Sequence, residues 1–179
     1  MLAVTRKNLA SVLKTLATAP ELSLDTETTG LKLYQGDRLF SLIIATDSEE
    51  FYFSFQDYPL EGQRGLDRVD TFEKLKPIFS NPKLYWFITN AKFDLAALAN
   101  EGAEIAGTVH CTVAIGRIER NNRMRYGLDA LAKELGHEKS KEVEEYIATH
   151  KLYRFEPGDD DDTPDKVPEF SRVPFELIC

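Results

Sequence analysis

Cysteine is nearly missing from this chain: two residues in 179, Cys111 and Cys179. That excludes a disulfide framework and fits a reducing compartment, so a cytoplasmic location is expected. No run approaches the roughly 18 apolar residues of a membrane span. The N-terminal stretch MLAVTRKNLASVLKTL has no apolar core followed by a cleavage site, so neither a span nor a signal peptide is expected. No internal repeat is present. Positive charge is short, with 22 Lys and Arg against 30 Asp and Glu and a formal net charge of −8. This balance argues against gripping long duplex nucleic acid through a basic surface. It leaves room for a local site that holds a few phosphates through metal ions.

What is present is ordinary for a globular domain. The hydrophobic fraction is 42% and the length suffices for one domain with a sizeable core. Leu9, Val12, Leu13 and Leu16 recur at helical spacing over 5–18, with Thr5 as N-cap and Pro20 past the end. Residues 22–27 read as a short strand. LFSLIIATDSEEFYFSF (39–55) reads as two strands joined by a turn at 47–50. Thr71 reads as the cap of a helix carrying Phe72, Leu75, Ile78 and Phe79, whose end Pro77 makes irregular.

The apolar run LYWFI (84–88) reads as a strand buried on both faces. Asn90 opens a helix with Leu95 and Leu98 on one side, closing near Gly102. A strand at 108–111, a helix over 112–120, a helix at 127–136 with Leu128, Leu131, Ala132 and Leu135 on one face, and a helix over 140–149 follow. EPGDDDDTPDKVPE (156–169) reads as a solvated acidic, proline-rich loop. This order predicts an α/β domain with a mixed sheet, antiparallel in the hairpin and parallel in the later crossovers.

The chemistry is concentrated in ELSLDTETTGLKLY (21–34). Asp25 and Glu27 lie at i and i+2 on what reads as a buried strand, so both point to one face, and Gly30 breaks the strand just after them. That is the strand end where an α/β sheet usually carries its chemistry. Two like charges so close repel, and a divalent cation with a preference for hard oxygen ligands relieves the conflict. A third carboxylate, Asp94, comes from NAKFDLAAL (90–98), in the first turn of its helix. Taken alone, Asp94 is better explained as a complement to the helix dipole; it is the two motifs together, in this order and on these elements, that point to a site.

LDTETTGL together with NAKFDLAAL resembles the first two motifs of the DEDD superfamily of 3′–5′ exonucleases, which have a ribonuclease H-like fold. With LDALAKELG, the pattern is most similar to the proofreading domain of family A DNA polymerases, the bacterial DNA polymerase I type and its phage relatives. The resemblance runs from about Leu22 to Gly136. It implies hydrolysis of the 3′-terminal phosphodiester of single-stranded DNA with two Mg²⁺ or Mn²⁺ ions about 3.5–4 Å apart. It also implies a linked or associated polymerase domain. By matching position, Asp25 contacts both metals, Glu27 the metal that activates water, and Asp94 the second metal, largely through water. Thr26 and Thr29 are implied at the terminal nucleotide, Leu31 as an apolar wedge, and Asn90 and Phe93 on the substrate strand. Core packing is the alternative for Leu31 and Phe93, and helix capping for Asn90. Lys92, Arg117, Arg120, Arg123 and Arg125 are candidates for phosphates, with Tyr126 for a base; a solvated turn is the alternative.

Two departures stand out. The family has a fourth acid, in a Tyr-x-x-x-Asp or His-x-x-x-x-Asp motif whose Tyr or His orients the attacking water. No Tyr here has an Asp four residues on; His137 has only Glu142, and Tyr146 with His150 makes no such pair. The expectation is that residues 171–179 begin the helix that carries this third motif and that the motif lies beyond them. The alternatives are a catalytically incompetent nucleic-acid-binding module and a ribonuclease D-like RNA exonuclease. The second departure is Cys111-Thr112, where many relatives have Asp-Thr, with a structural consequence at most expected.

Overall fold

Apolar and polar side chains alternate along residues 21–28, so this strand can bury one face only. That pattern sets the architecture in the computed structural model, which describes residues 1–57, 64–119, 121, 126–136, 140–156, 165–174 and 177. The elements in chain order are β1 (Leu2–Ala3), α1 (Leu9–Thr18), β2 (Glu21–Thr28), β3 (Leu39–Ala45), β4 (Glu50–Ser54), α2 (Arg68–Phe79), β5 (Tyr85–Ile88) and α3 (Ala91–Asn100). They continue with β6 (Thr108–Cys111), α4 (Thr112–Glu119), α5 (Leu128–Glu134), α6 (Glu142–His150), β7 (Tyr153–Glu156) and β8 (Asp165–Pro168). Two 3₁₀ turns, Leu33–Gln35 and Phe170–Arg172, complete the described elements.

Six strands form one sheet in the order β1-β4-β3-β2-β5-β6. The pairs β2/β3 and β3/β4 are antiparallel, while β1/β4, β2/β5 and β5/β6 are parallel. The mixed sheet with an antiparallel hairpin is the one expected. One face carries the main core, where Leu9, Val12 and Leu16 of α1, Phe72, Leu75 and Phe79 of α2, and Ala97 and Leu98 of α3 meet Leu22, Leu24, Leu42, Ile44 and Trp86 of the sheet. A smaller cluster of Ile147, Leu152 and Val173 forms around α6 and the chain that follows it.

Several expectations are corrected. The strand LYWFI is buried on one face: Trp86 and Ile88 are buried, whereas Tyr85 and Phe87 are exposed and stack on His110 of β6. Its unbroken apolar pattern reflects aromatic stacking across two parallel strands on the open face, not a second covered face. Strand β2 is likewise not fully buried, because Glu21, Ser23 and Asp25 alternate with its buried residues and are exposed. Helix α1 starts at Leu9, after Asn8, whose side chain accepts from the Thr5 amide and donates to the Ala3 carbonyl. Helix α2 starts before Thr71, capped by Asp67, whose carboxylate accepts from the Asp70 amide; Thr71 is buried inside it.

Leu128 of α5 and Leu135 just past its end are exposed, because the contact with α4 runs through Leu131, with Tyr126 from the turn before α5, beside Gly116. The acidic segment 156–169 is a loop only in part, since β8 pairs antiparallel with β7; residues 157–164 lie outside the described residues. Of the helix expected within 171–179, only residues 171–174 and 177 are described, and 171–172 belong to a 3₁₀ turn. Among the described residues no helix is long and apolar enough to cross a membrane.

Candidate active site

Strand β5 stops at Ile88, paired with Leu24, so β2 runs on past it toward its carboxyl end with one flank uncovered. A backbone N–H left there without a partner would cost free energy. Asp94, in the first turn of α3, fills the gap: its Oδ1 accepts from the Thr26 amide at 2.9 Å and from the Thr26 hydroxyl at 2.7 Å. Asp94 is 3% exposed. Burial raises its pKa to about 6 from an ordinary 3.8; the Thr26 hydroxyl opposes the rise and the Asp25 charge adds to it. Asp94 and Asp25 are thus within electrostatic reach of one another although they come from different elements.

Asp25 and Glu27 share the opposite face of β2 from Thr26, as their spacing requires. Asp25 is exposed and Glu27 half-buried, so the pair does not carry the burial cost expected of a core strand; the buried carboxylate is Asp94. The β2/β3 register slips between Glu27 and Thr28, where Phe40 is an extra residue on β3. Such bulges re-aim side chains beside functional sites. Glu27, Phe40 and Ile43 of the sheet line a cavity of about 180 Å³ with Val143 and Glu144 of α6. Helix α6 therefore brings an acid to the same cavity as Glu27, a neighbour that no spacing in the sequence signals.

The loop after β2 is organised by Asp37, which sequence reasoning missed. Its carboxylate accepts from the Thr29 hydroxyl at 3.1 Å and the Lys32 amide at 2.8 Å, and pairs with Arg154 of β7 at 3.7 Å. Thr29 also accepts from the Arg38 amide, so its hydroxyl is part of this scaffold. Leu31 is 80% exposed, which removes core packing as its explanation. Phe93 is half-buried on α3. Asn90 precedes α3 in a left-handed conformation (φ 54°, ψ 43°), exposed and without a capping hydrogen bond from its side chain, so the capping reading fails for it. Asparagine tolerates that backbone better than most residues, and strain of this kind clusters at functional sites.

The remaining candidates scatter. Lys92 is exposed on α3, and the Arg117 guanidinium sits over the Tyr126 ring at 5.7 Å; Arg120, Arg123 and Arg125 lie outside the described residues. His137 also lies outside them, while Glu142 is exposed in the first turn of α6. Tyr146 and His150 stack on each other within α6. Cys111 ends β6: burial raises its thiol pKa, but the amides of Ala114, Ala91, Val113 and Asn90 outweigh this and lower it. Beside it the Thr112 and Thr89 hydroxyls are hydrogen-bonded at 2.9 Å.

Three carboxylates, all hard oxygen donors, match the ligand chemistry of Mg²⁺ or Mn²⁺. The Asp25–Asp94 repulsion is the kind of conflict that a cation relieves. Among the described residues, no three His, Cys, Asp or Glu side chains converge closely enough to hold an ion as they stand. With Oδ1 of Asp94 committed to Thr26, ligation would fall to Oδ2.

Known proteins resemble this chain in sequence and in fold. A family model described as 3′–5′ exonuclease matches residues 3–156. DNA polymerase I of Pseudomonas aeruginosa is 30% identical over 128 residues, which are 70% of this chain and 14% of that protein. The chain thus spans about a seventh of the length of that relative. Among solved structures, Brucella melitensis NrnC with bound Mg²⁺ superposes with a TM-score of 0.55 at 25% identity, covering 69% of this chain and 57% of that one. Trypanosoma brucei RNase D in complex with RNA U12 superposes at 0.64 with 17% identity, covering 81% and 50%. The latter likeness is one of fold alone, and the fold is the ribonuclease H-like one expected. On the match over most of its length, this chain belongs to the 3′–5′ exonuclease family.

Proposed function

We propose that this chain hydrolyses the 3′-terminal phosphodiester of single-stranded DNA and serves as the proofreading domain of a DNA polymerase. The observation that carries the reading is the buried Asp94, fixed by two Thr26 donors and electrostatically coupled to Asp25 across the end of β2. The similarity to a DNA polymerase I favours DNA over RNA and a polymerase as the linked or associated partner. The Mg²⁺ named with NrnC supports a divalent requirement.

Asp25, Glu27 and Asp94 would hold two ions, Mg²⁺ or Mn²⁺. When bound, these ions supply the positive charge that acidifies water and stabilises the leaving oxygen. The protein's own groups do the rest. The Thr26 donors orient Asp94. The Asp37 scaffold, with Thr29 in it, sets the loop that presents Leu31 to the terminal bases. Asn90 and Phe93, at the start of α3, flank the strand.

A second reading, a nucleic-acid-binding module without catalysis, is favoured by the lack of a converged metal cluster among the described residues. Incubation of 5′-labelled DNA and RNA single strands of one sequence with Mn²⁺ separates the readings. Preferential shortening of DNA from the 3′ end is expected. Preferential shortening of RNA would indicate the ribonuclease D-like alternative, and binding without shortening the module.

A further inference from the structure

We propose that Tyr34 is a further strand-binding residue, whose ring stacks on a base upstream of the 3′-terminal nucleotide; this rests on the function proposed above. Tyr34 is 84% exposed and Leu31, three residues before it, is 80% exposed. Two large apolar side chains on one short loop stand in water, although the loop is tightly held. Leu33, between them, packs against the main core, and its carbonyl accepts from the Asn100 side chain at the end of α3. The amides of Gln35 and Asp37 donate to the Lys32 carbonyl, and the Lys32 amide donates to Asp37. Gly36, at φ 108°, makes the left-handed turn that only glycine adopts freely. The outward placement of Tyr34 is therefore imposed by a built loop and is not slack.

Tyr34 differs from the exposed rings of β5. Tyr85 and Phe87 already stack on His110, whereas Tyr34 has no ring partner among the described residues. The loop leaves β2 after Thr28, one residue past Glu27, so the ring follows the candidate site closely in sequence. It lies against the far end of α3, and Asn100 stands six residues, about 9 Å of helix rise, beyond Asp94. Lys32 and Arg38 flank it, and the acid between them, Asp37, is engaged with Arg154. Cations beside an exposed ring, in a chain that is acidic overall, fit a single strand: cations follow the phosphates and the ring stacks on any base. Leu31 has no face for stacking and fits a wedge at the terminal bases.

The test is fluorescence anisotropy of a 5′-fluorescein-labelled eight-residue oligothymidylate in Ca²⁺, a cation of the same hard-oxygen preference, with the probe's length checked afterwards. Tyr34→Ala should weaken binding about fivefold to a hundredfold, the loss of one stacked base, while Tyr34→Phe stays within about twofold of wild type. The exposure of Tyr34 leaves no folding defect to confuse the result. Wild-type binding by Tyr34→Ala, with DNA shortening in Mn²⁺ intact in the parent, would overturn the role of Tyr34 and leave the proposed function standing. Equal weakening by Phe and Ala would overturn stacking as its basis. A parent chain that neither binds nor shortens the oligonucleotide would overturn both.

Discussion

Asp94 serves two purposes through one oxygen pair: Oδ1 closes the open flank of β2, and the carboxylate stays beside Asp25. Its pKa of about 6, against 3.8 ordinarily, makes the folded, metal-free chain bind a proton that the unfolded chain has lost. The sign follows from the raised folded value. This contribution to stability is complete below pH 3.8 and disappears as pH rises through about 6. The shift corresponds to on the order of 2–3 kcal/mol. Asp94→Asn, which keeps an oxygen for both Thr26 donors and cannot ionise, should therefore gain on wild type by about that amount between pH 4 and pH 7.5. Urea denaturation in EDTA at the two pH values measures it; parallel curves for the two proteins would refute the assigned pKa. The spacing of Asp25, Glu27 and Asp94 was legible in the sequence. The partnership of Asp94 with Thr26 was not, because it depends on where β5 stops.

The loop from Thr29 to Arg38 and its neighbours show how elements hold the candidate site. Asp37→Ala removes acceptors for Thr29 and Lys32 and the partner of Arg154, a loss of about 1–3 kcal/mol for part-buried donors. It should raise KM for a DNA strand while leaving kcat largely unchanged, as steady-state kinetics would show; an equal fall in kcat at unchanged KM would contradict a positioning role. At the start of β6, a Cβ on Gly107 would drive into the Leu84 backbone carbonyl. Gly107→Ala should cost about 1–3 kcal/mol in thermal or urea denaturation without any loss of the strand-binding residues. Periodicity made α1 legible, while β-branched and aromatic enrichment made β3 and β4 legible. It misled at LYWFI, where aromatic residues on the open face imitate a fully buried strand. It missed β7 and β8, whose pairing is set between segments separated by an acidic, proline-rich stretch. Arg154 reaches Asp37 from β7, so that hairpin matters to the loop at the site.

Across the whole molecule, a net charge of −8 and three carboxylates gathered at the end of β2 oppose a polyanionic substrate. Binding then falls to a few local cations, Lys32, Arg38 and Lys92, and to divalent ions. With about three phosphate contacts, log K for a single strand should fall with log salt at a slope near −2. Anisotropy titrations over a range of salt test this, and a slope of about −5 or steeper would point to a broad basic surface instead. The mixed sheet carries Asp25 and Glu27 on the face away from the main core, and α3 brings Asp94 to the same strand end from the core face. The most direct test of this arrangement as a nuclease site is the degradation of a 5′-labelled single-stranded DNA in Mg²⁺ and in Mn²⁺ by this chain, beside its Asp25→Ala/Glu27→Ala variant. A 3′-to-5′ ladder that the variant abolishes is expected; a ladder that persists in the variant, or none above it in either metal, would refute a nuclease site at Asp25, Glu27 and Asp94.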